Sequence, residues 1–71
     1  MAEEIRAEIV ANVTQVTVQA GDAVEGGAQL VILESMKMEI PVLTEGRGTV
    51  TKVAVSPGDV VQEGDLIAVV E

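Results

Sequence analysis

The chain reads as an all-β protein, a small sandwich or barrel assembled from two related halves. Three observations predict this. Valine dominates an apolar vocabulary with no aromatic residue, one stretch recurs at a fixed offset, and each copy alternates apolar and polar residues between turn signals. Residues 13–34 read VTQVTVQAGDAVEGGAQLVILE and residues 50–71 read VTKVAVSPGDVVQEGDLIAVVE; an offset of 37 lays one on the other without a gap. Identical pairs are Val13/Val50, Thr14/Thr51, Val16/Val53, Val18/Val55, Gly21/Gly58, Asp22/Asp59, Val24/Val61, Gly27/Gly64 and Glu34/Glu71. Leu30/Ile67 and Ile32/Val69 are matched in kind. Self-similarity of this sort marks a repeated supersecondary unit.

Each copy begins with a period-2 stretch, Val16 and Val18 or Val53 and Val55, which predicts a half-buried strand. A turn follows at Gly21-Asp22 and at Pro57-Gly58-Asp59. Proline then glycine suits the central positions of a type II turn, the second of which needs φ > 0. Next come Val24 or Val61, a glycine at 27 or 64, and an apolar run at 30–33 or 67–70. Short, β-branched and bounded by turn signals, that run predicts a buried strand. No stretch sustains helical spacing. The glycines therefore read as turn residues, because a phosphate-cradling loop needs a strand-to-helix junction. Two equal halves about a pseudo-twofold axis make residue 37 equivalent to positions 0 and 74. The segment around 37 should then form a hairpin at one pole, with both chain ends at the other.

At 71 residues the chain is expected to be one domain, 1–71, with a small core. Cysteine is absent, which removes disulfides and thiolate metal sites and fits a reducing compartment. Histidine is absent too, and with it the commonest general base and the commonest transition-metal ligand. A catalytic reading would rest on Asp, Glu, Ser, Thr and two lysines, so neither a catalytic nor a metal site is expected. Twelve acidic and four basic side chains give a net charge of −8, which repels phosphate backbones and argues against nucleic acid. The same charge favours a soluble monomer. No apolar run approaches the roughly 20 residues of a membrane span. Met1-Ala2-Glu3-Glu4 carries acid where a signal peptide carries positive charge, so a cytoplasmic location is expected.

One segment breaks the repeat: Glu34-Ser35-Met36-Lys37-Met38-Glu39-Ile40-Pro41-Val42. Two long apolar side chains flank a lysine, with carboxylates outside them. Alternation along extended or turn backbone would turn Lys37 to solvent while Met36 and Met38 face the sheet or lie exposed across the tip. Pro41 has no N–H and fits only an edge strand or a strand end. Taken alone, Lys37 is an ordinary solvated lysine and the methionines are core filler.

The run ESMKMEI resembles the attachment motif of biotinyl domains, the biotin carboxyl carrier type of the biotinyl/lipoyl family, whose core is usually Ala-Met-Lys-Met. The pattern Gly21, Asp22, Val24, Gly27, its copy downstream and a turn at Gly48 match the rest of that family, from about Val10 to Glu71. Ser35 stands where alanine is common. Val10-Ala11-Asn12 replaces a customary Pro-Met-Pro-Gly run, which puts Ala11 opposite Gly48 in the repeat. Were that site to need φ > 0, Ala11 would cost about 1 kcal/mol. The protruding loop of common bacterial acetyl-CoA carboxylase carriers is missing, so the chain looks more like a free-standing small biotinylated protein.

The resemblance implies a flattened barrel or sandwich of two antiparallel sheets (a barrel-sandwich hybrid) with the attachment lysine on a hairpin tip. It implies biotin joined covalently to Lys37 by a biotin protein ligase, with Glu34, Ser35, Met36, Met38 and Glu39 as the recognition flank. The biotin arm would then carry a carboxyl group between separate biotin carboxylase and carboxyltransferase subunits. An ordinary lysine amine, with a pKa near 10.4, is mostly protonated at neutral pH, and the chain has no histidine to take that proton. Activation must come from the ligase, so the chain is expected to be a carrier and substrate, not an enzyme. Two alternatives share the fold: a lipoyl carrier, whose lysine usually follows aspartate, and an interaction module that is never modified. Lys52 matches Gln15 in the repeat, reads as solvated strand decoration, and is expected to stay unmodified.

Overall fold

A computed structural model describes residues 2–71. Eight strands follow one another: β1 (Glu3–Arg6), β2 (Ala11–Val16), β3 (Ala23–Val24), β4 (Gln29–Ser35), β5 (Met38–Leu43), β6 (Gly48–Val53), β7 (Val60–Val61) and β8 (Leu66–Val70). They form two four-stranded antiparallel sheets, ordered β1-β8-β6-β3 and β5-β4-β2-β7, with no closed barrel. No described residue is helical. The apolar runs become β4 and β8, each flanked by a strand on both sides, which is why they are apolar almost continuously. Pro41 lies in β5, an edge strand, where a missing N–H breaks no ladder bond.

The 37-residue offset is a real symmetry of the backbone. β5, β4, β2 and β7 occupy one sheet in the order that β1, β8, β6 and β3 occupy the other. Connecting hydrogen bonds recur in pairs: Val13 N donates to Asp59 O and Val50 N to Asp22 O, both at 2.8 Å. The strand irregularities recur as well. The register shifts between Val13 and Gln15 and again between Val50 and Lys52. The threonine in each gap donates its hydroxyl to a facing carbonyl, Thr14 to Ile32 O and Thr51 to Val69 O. A bulge leaves its extra residue out of the ladder, and a threonine there recovers a hydrogen bond.

The turns form as read. Asp59 N donates to Ser56 O across Pro57-Gly58, with Gly58 at φ 96°, and Asp22 N donates to Gln19 O with Gly21 at φ 100°. The Asp59 carboxylate accepts from Ser56 N at 2.8 Å, and Asp22 accepts from Gln19 N at 2.9 Å. The glycine supplies the left-handed conformation and the aspartate closes the turn a second time, which is why Gly-Asp recurs.

Ala11 and Gly48 correct two expectations. Gly48 is the first residue of β6, not a turn, and neither position has positive φ. Glycine is needed at 48 for space: a Cβ there would collide with the Glu71 carbonyl, and Val70 Cγ1 would lie 3.0 Å away. Ala11 is buried in the core and carries no left-handed penalty.

The core is aliphatic and pairs across the axis: Val13 with Val50, Leu30 with Ile67, Val24 with Val61 and Leu33 with Val70. Thr44 is its polar exception, and its repeat equivalent is Ala7. The Thr44 hydroxyl lies 3.0 Å from Glu3 Oε1 and 2.9 Å from Gly46 O, either of which can accept its proton. Glu3 also accepts from Glu45 N at 3.1 Å, so the beginning of the chain is stapled to the loop after β5. Glu71 pairs with Thr49 just beyond that loop. Glu3 and Glu71 thus lie at the end of β5 remote from the 36–37 turn, as symmetry required, in a molecule measuring 32 × 18 × 18 Å.

Candidate functional site

The hairpin of β4 and β5 carries the distinctive segment. Its ladder pairs Leu33 with Ile40, Glu34 with Glu39 and Ser35 with Met38, leaving Met36 and Lys37 as the whole loop. Met36 has φ 53° and Lys37 has φ 65°. Two left-handed residues in a two-residue loop make a type I′ turn, whose twist matches that of the flanking strands. Such turns normally use Asn-Gly, because a side chain costs roughly 1–2 kcal/mol in the left-handed region. Met-Lys adopts it here because six ladder pairs beneath leave no other path across.

This geometry settles where the flanking side chains go. Met36 is 91% exposed and Met38 64% exposed, so both lie open at the tip and neither fills the core. Lys37 is exposed, and among the described residues it makes neither an ion pair nor a side-chain hydrogen bond. The ion pair that is present, Arg6 with Glu4 at 2.8 Å, belongs to β1. Glu34 and Glu39 are both exposed and face each other across the ladder, a mildly unfavourable like-charge pair. Ser35, half-buried, closes the sheet beneath the turn. All six residues singled out in the sequence therefore meet at one end of one hairpin. Lys52 is elsewhere, exposed on β6 in the other sheet, opposite Val69.

Two features at this end escaped the sequence reading. Positive φ at Met36 and Lys37 ran against residue preference; the cue was a gap of two residues between strands whose carboxylates pair symmetrically. Ile9, Val10 and Val60 are also exposed toward this end, and of these only Val10 lay in a segment the sequence reading had singled out. Among the described residues no group of three His, Cys, Asp or Glu could hold a metal ion, and no helix is long and apolar enough to cross a membrane.

A bare amine on a stiff hairpin, at the pole remote from the chain ends, is suited to carrying a covalent group. Residues 3–70 match the biotin/lipoyl family model described as biotin-requiring enzyme, which reaches further toward the N-terminus than the motif reading did. A protein of Mycobacterium leprae named biotinylated protein TB7.3 homolog is 63% identical over 70 residues, covering 99% of both chains. Among solved structures, the urea carboxylase of Kluyveromyces lactis superposes with a TM-score of 0.93 at 35% identity, covering all of this chain and 6% of that one. The lipoyl domain of the Azotobacter vinelandii 2-oxoglutarate dehydrogenase complex superposes with a TM-score of 0.77 over 94% of this chain; at 23% identity that likeness concerns the fold alone. By its family match and by its near full-length relative, this chain belongs to the biotin/lipoyl attachment family, on the biotinyl side of it.

Proposed function

We propose that the chain is a biotin carrier whose Lys37 receives biotin through an amide bond. The observation that carries this reading is the Lys37 amine, exposed and unpaired at the apex of a two-residue turn on a rigid ladder. A biotin protein ligase activates the biotin carboxyl as its adenylate, releasing pyrophosphate. The deprotonated Lys37 Nζ then attacks that carbonyl, AMP leaves, and the amide forms. The chain supplies no base for this step, so the ligase removes the proton. Glu34, Ser35, Met36, Met38 and Glu39 form the surface by which the acceptor is recognised.

Once attached, biotin supplies a ureido nitrogen that takes up a carboxyl group and gives it away. The chain's own contribution is mechanical. The hairpin holds the arm clear of the sandwich, and tethering keeps its end at about millimolar local concentration near docked enzymes. Those enzymes are biotin carboxylase and carboxyltransferase subunits, consistent with relatives that form a small part of large carboxylases. The chain serves them as a non-catalytic carrier, a cytoplasmic monomer.

Intact-mass measurement of the protein from its native host, with peptide mapping, tests the reading. The mass of a biotin amide on Lys37, lost in Lys37→Ala and absent from Lys52, is the expected result. A lipoyl mass at Lys37 would reassign the pathway. A bare lysine after incubation with ligase, ATP and biotin would leave an interaction module.

A further inference from the structure

The internal twofold acts as a control. Outside residues 35–37, each surface position in one half has a repeat equivalent in the other, so what the fold alone requires should recur at both poles. Among the described residues the exposed large apolar side chains gather at one pole, except Leu43, which lies at the other and whose equivalent near Lys37 is Arg6. Ile9, Val10, Met36, Met38 and Val60 are exposed toward the Lys37 end. Asn12 pairs with Glu34 on one side and Val60 on the other, Val10 directly precedes β2, and Met38 pairs with Ser35. Val10 is 62% exposed and Val60 63%. The equivalents of Ile9, Val10 and Val60 at the remote pole are Gly46, Arg47 and Ala23. One sandwich thus accepts glycine, arginine and alanine where the Lys37 pole shows isoleucine and two valines. Folding does not explain the difference, and an apolar patch kept in water marks a contact surface.

We propose that Ile9, Val10 and Val60 join Met36 and Met38 in an apolar collar on which the biotin protein ligase docks. This rests on the reading of Lys37 as the biotin acceptor. Reach selects the ligase over the carboxylase. When the ligase acts, the arm is only the lysine side chain, so the enzyme must approach the body of the carrier closely and cover what surrounds the turn. After modification the arm is much longer, and later enzymes can take its end while standing further off. The collar is edged by exposed Glu8, Glu34 and Glu39. The complementary ligase face is therefore an apolar recess bordered by basic groups.

The test replaces collar residues with their own repeat equivalents, which the fold already accepts. Initial rates of biotinylation are measured with ligase, ATP and biotin on the unmodified wild-type chain, Val10→Arg, Val60→Ala and the remote control Leu43→Arg, whose equivalent is Arg6. Val10→Arg should raise KM for the carrier about tenfold with kcat little changed, Val60→Ala should raise it less, and Leu43→Arg should match wild type. Val10→Arg loaded to completion at high concentration should still accept carboxyl groups from biotin carboxylase, bicarbonate and ATP as wild type does. An unchanged KM in Val10→Arg, or a defect confined to the loaded protein, would overturn the collar. Should Val10→Arg not fold, titrating ligase into labelled wild-type chain decides: amide shifts at Ile9, Val10 and Val60 support the collar, and shifts confined to 34–39 refute it. Wild-type chain that takes no biotin at all would overturn the parent reading as well, an outcome distinct from a modified wild type with indifferent variants.

Discussion

At the scale of single residues, the tip is built against preference. Met36 and Lys37 occupy left-handed backbone that favours glycine or asparagine. Lys37→Gly should therefore stabilise the chain by about 1 kcal/mol in urea denaturation while abolishing biotin incorporation. A Lys37→Gly variant less stable than wild type would show that the tip is not strained. Position 48 follows the opposite logic, since the constraint there is room. Gly48→Ala, pressing on the Glu71 carbonyl, should cost about 1–3 kcal/mol, whereas Ala11→Gly in the equivalent strand should cost only about 0.5–1 kcal/mol. Equal costs at the two sites would mean that the C-terminal backbone yields freely.

At the scale of elements, what matters is how edges and ends are secured. β5 is an edge strand, and Pro41 in its middle blunts it against pairing with another sheet. β1, the equivalent edge, depends on the Glu3 staple. The backbone N–H of Glu45 holds the Glu3 carboxyl below its ordinary 4.5; partial desolvation works against this, and the Thr44 hydroxyl and Gly46 N–H add to the lowering. A carboxyl whose folded pKa is depressed stabilises the fold above the unfolded value and loses that contribution as pH falls through the folded one. The urea midpoint should accordingly drop as pH is lowered below about 4.5, and Glu3→Gln should drop less over the same range. Parallel pH profiles for the two proteins would dismiss the staple. The turn aspartates are a second device, and Asp59→Ala, which strips the Ser56 N–H of its partner, should cost about 1 kcal/mol.

At the scale of the whole molecule, the pseudo-twofold makes a quantitative demand. Leu30 and Ile67 are equivalent, fully buried and set in central strands of opposite sheets. Leu30→Ala and Ile67→Ala should each cost about 2–5 kcal/mol, as deletion of a buried aliphatic side chain does, and should agree closely with each other. Strongly unequal losses would mean that the halves share a backbone but not an energetic role. The same symmetry explains why so short a chain manages without disulfides, metal or aromatic residues. Each sheet takes two strands from each half, so neither half completes a sheet alone and the two interlock around one shared core.

Much of this was legible in the chain. The offset of 37 residues, the valine alternation and the Gly-Asp turns together determine an all-β molecule of two equivalent halves, because strand period and turn chemistry are local properties. The Met-Lys-Met segment at the centre of that repeat determines which lysine sits at a pole, because symmetry constrains position without reference to packing. Tertiary structure alone decided the rest. Left-handed backbone at Met36 and Lys37 is imposed by the ladder beneath them, against their own preference. The role of Gly48 depends on Glu71, 23 residues later, crossing its path. Ile9, Val10 and Val60 come from separate segments and become one surface only when β2 takes β4 and β7 as its neighbours. Contacts between distant segments leave no local signature, and that is why the surroundings of the tip had to await the fold.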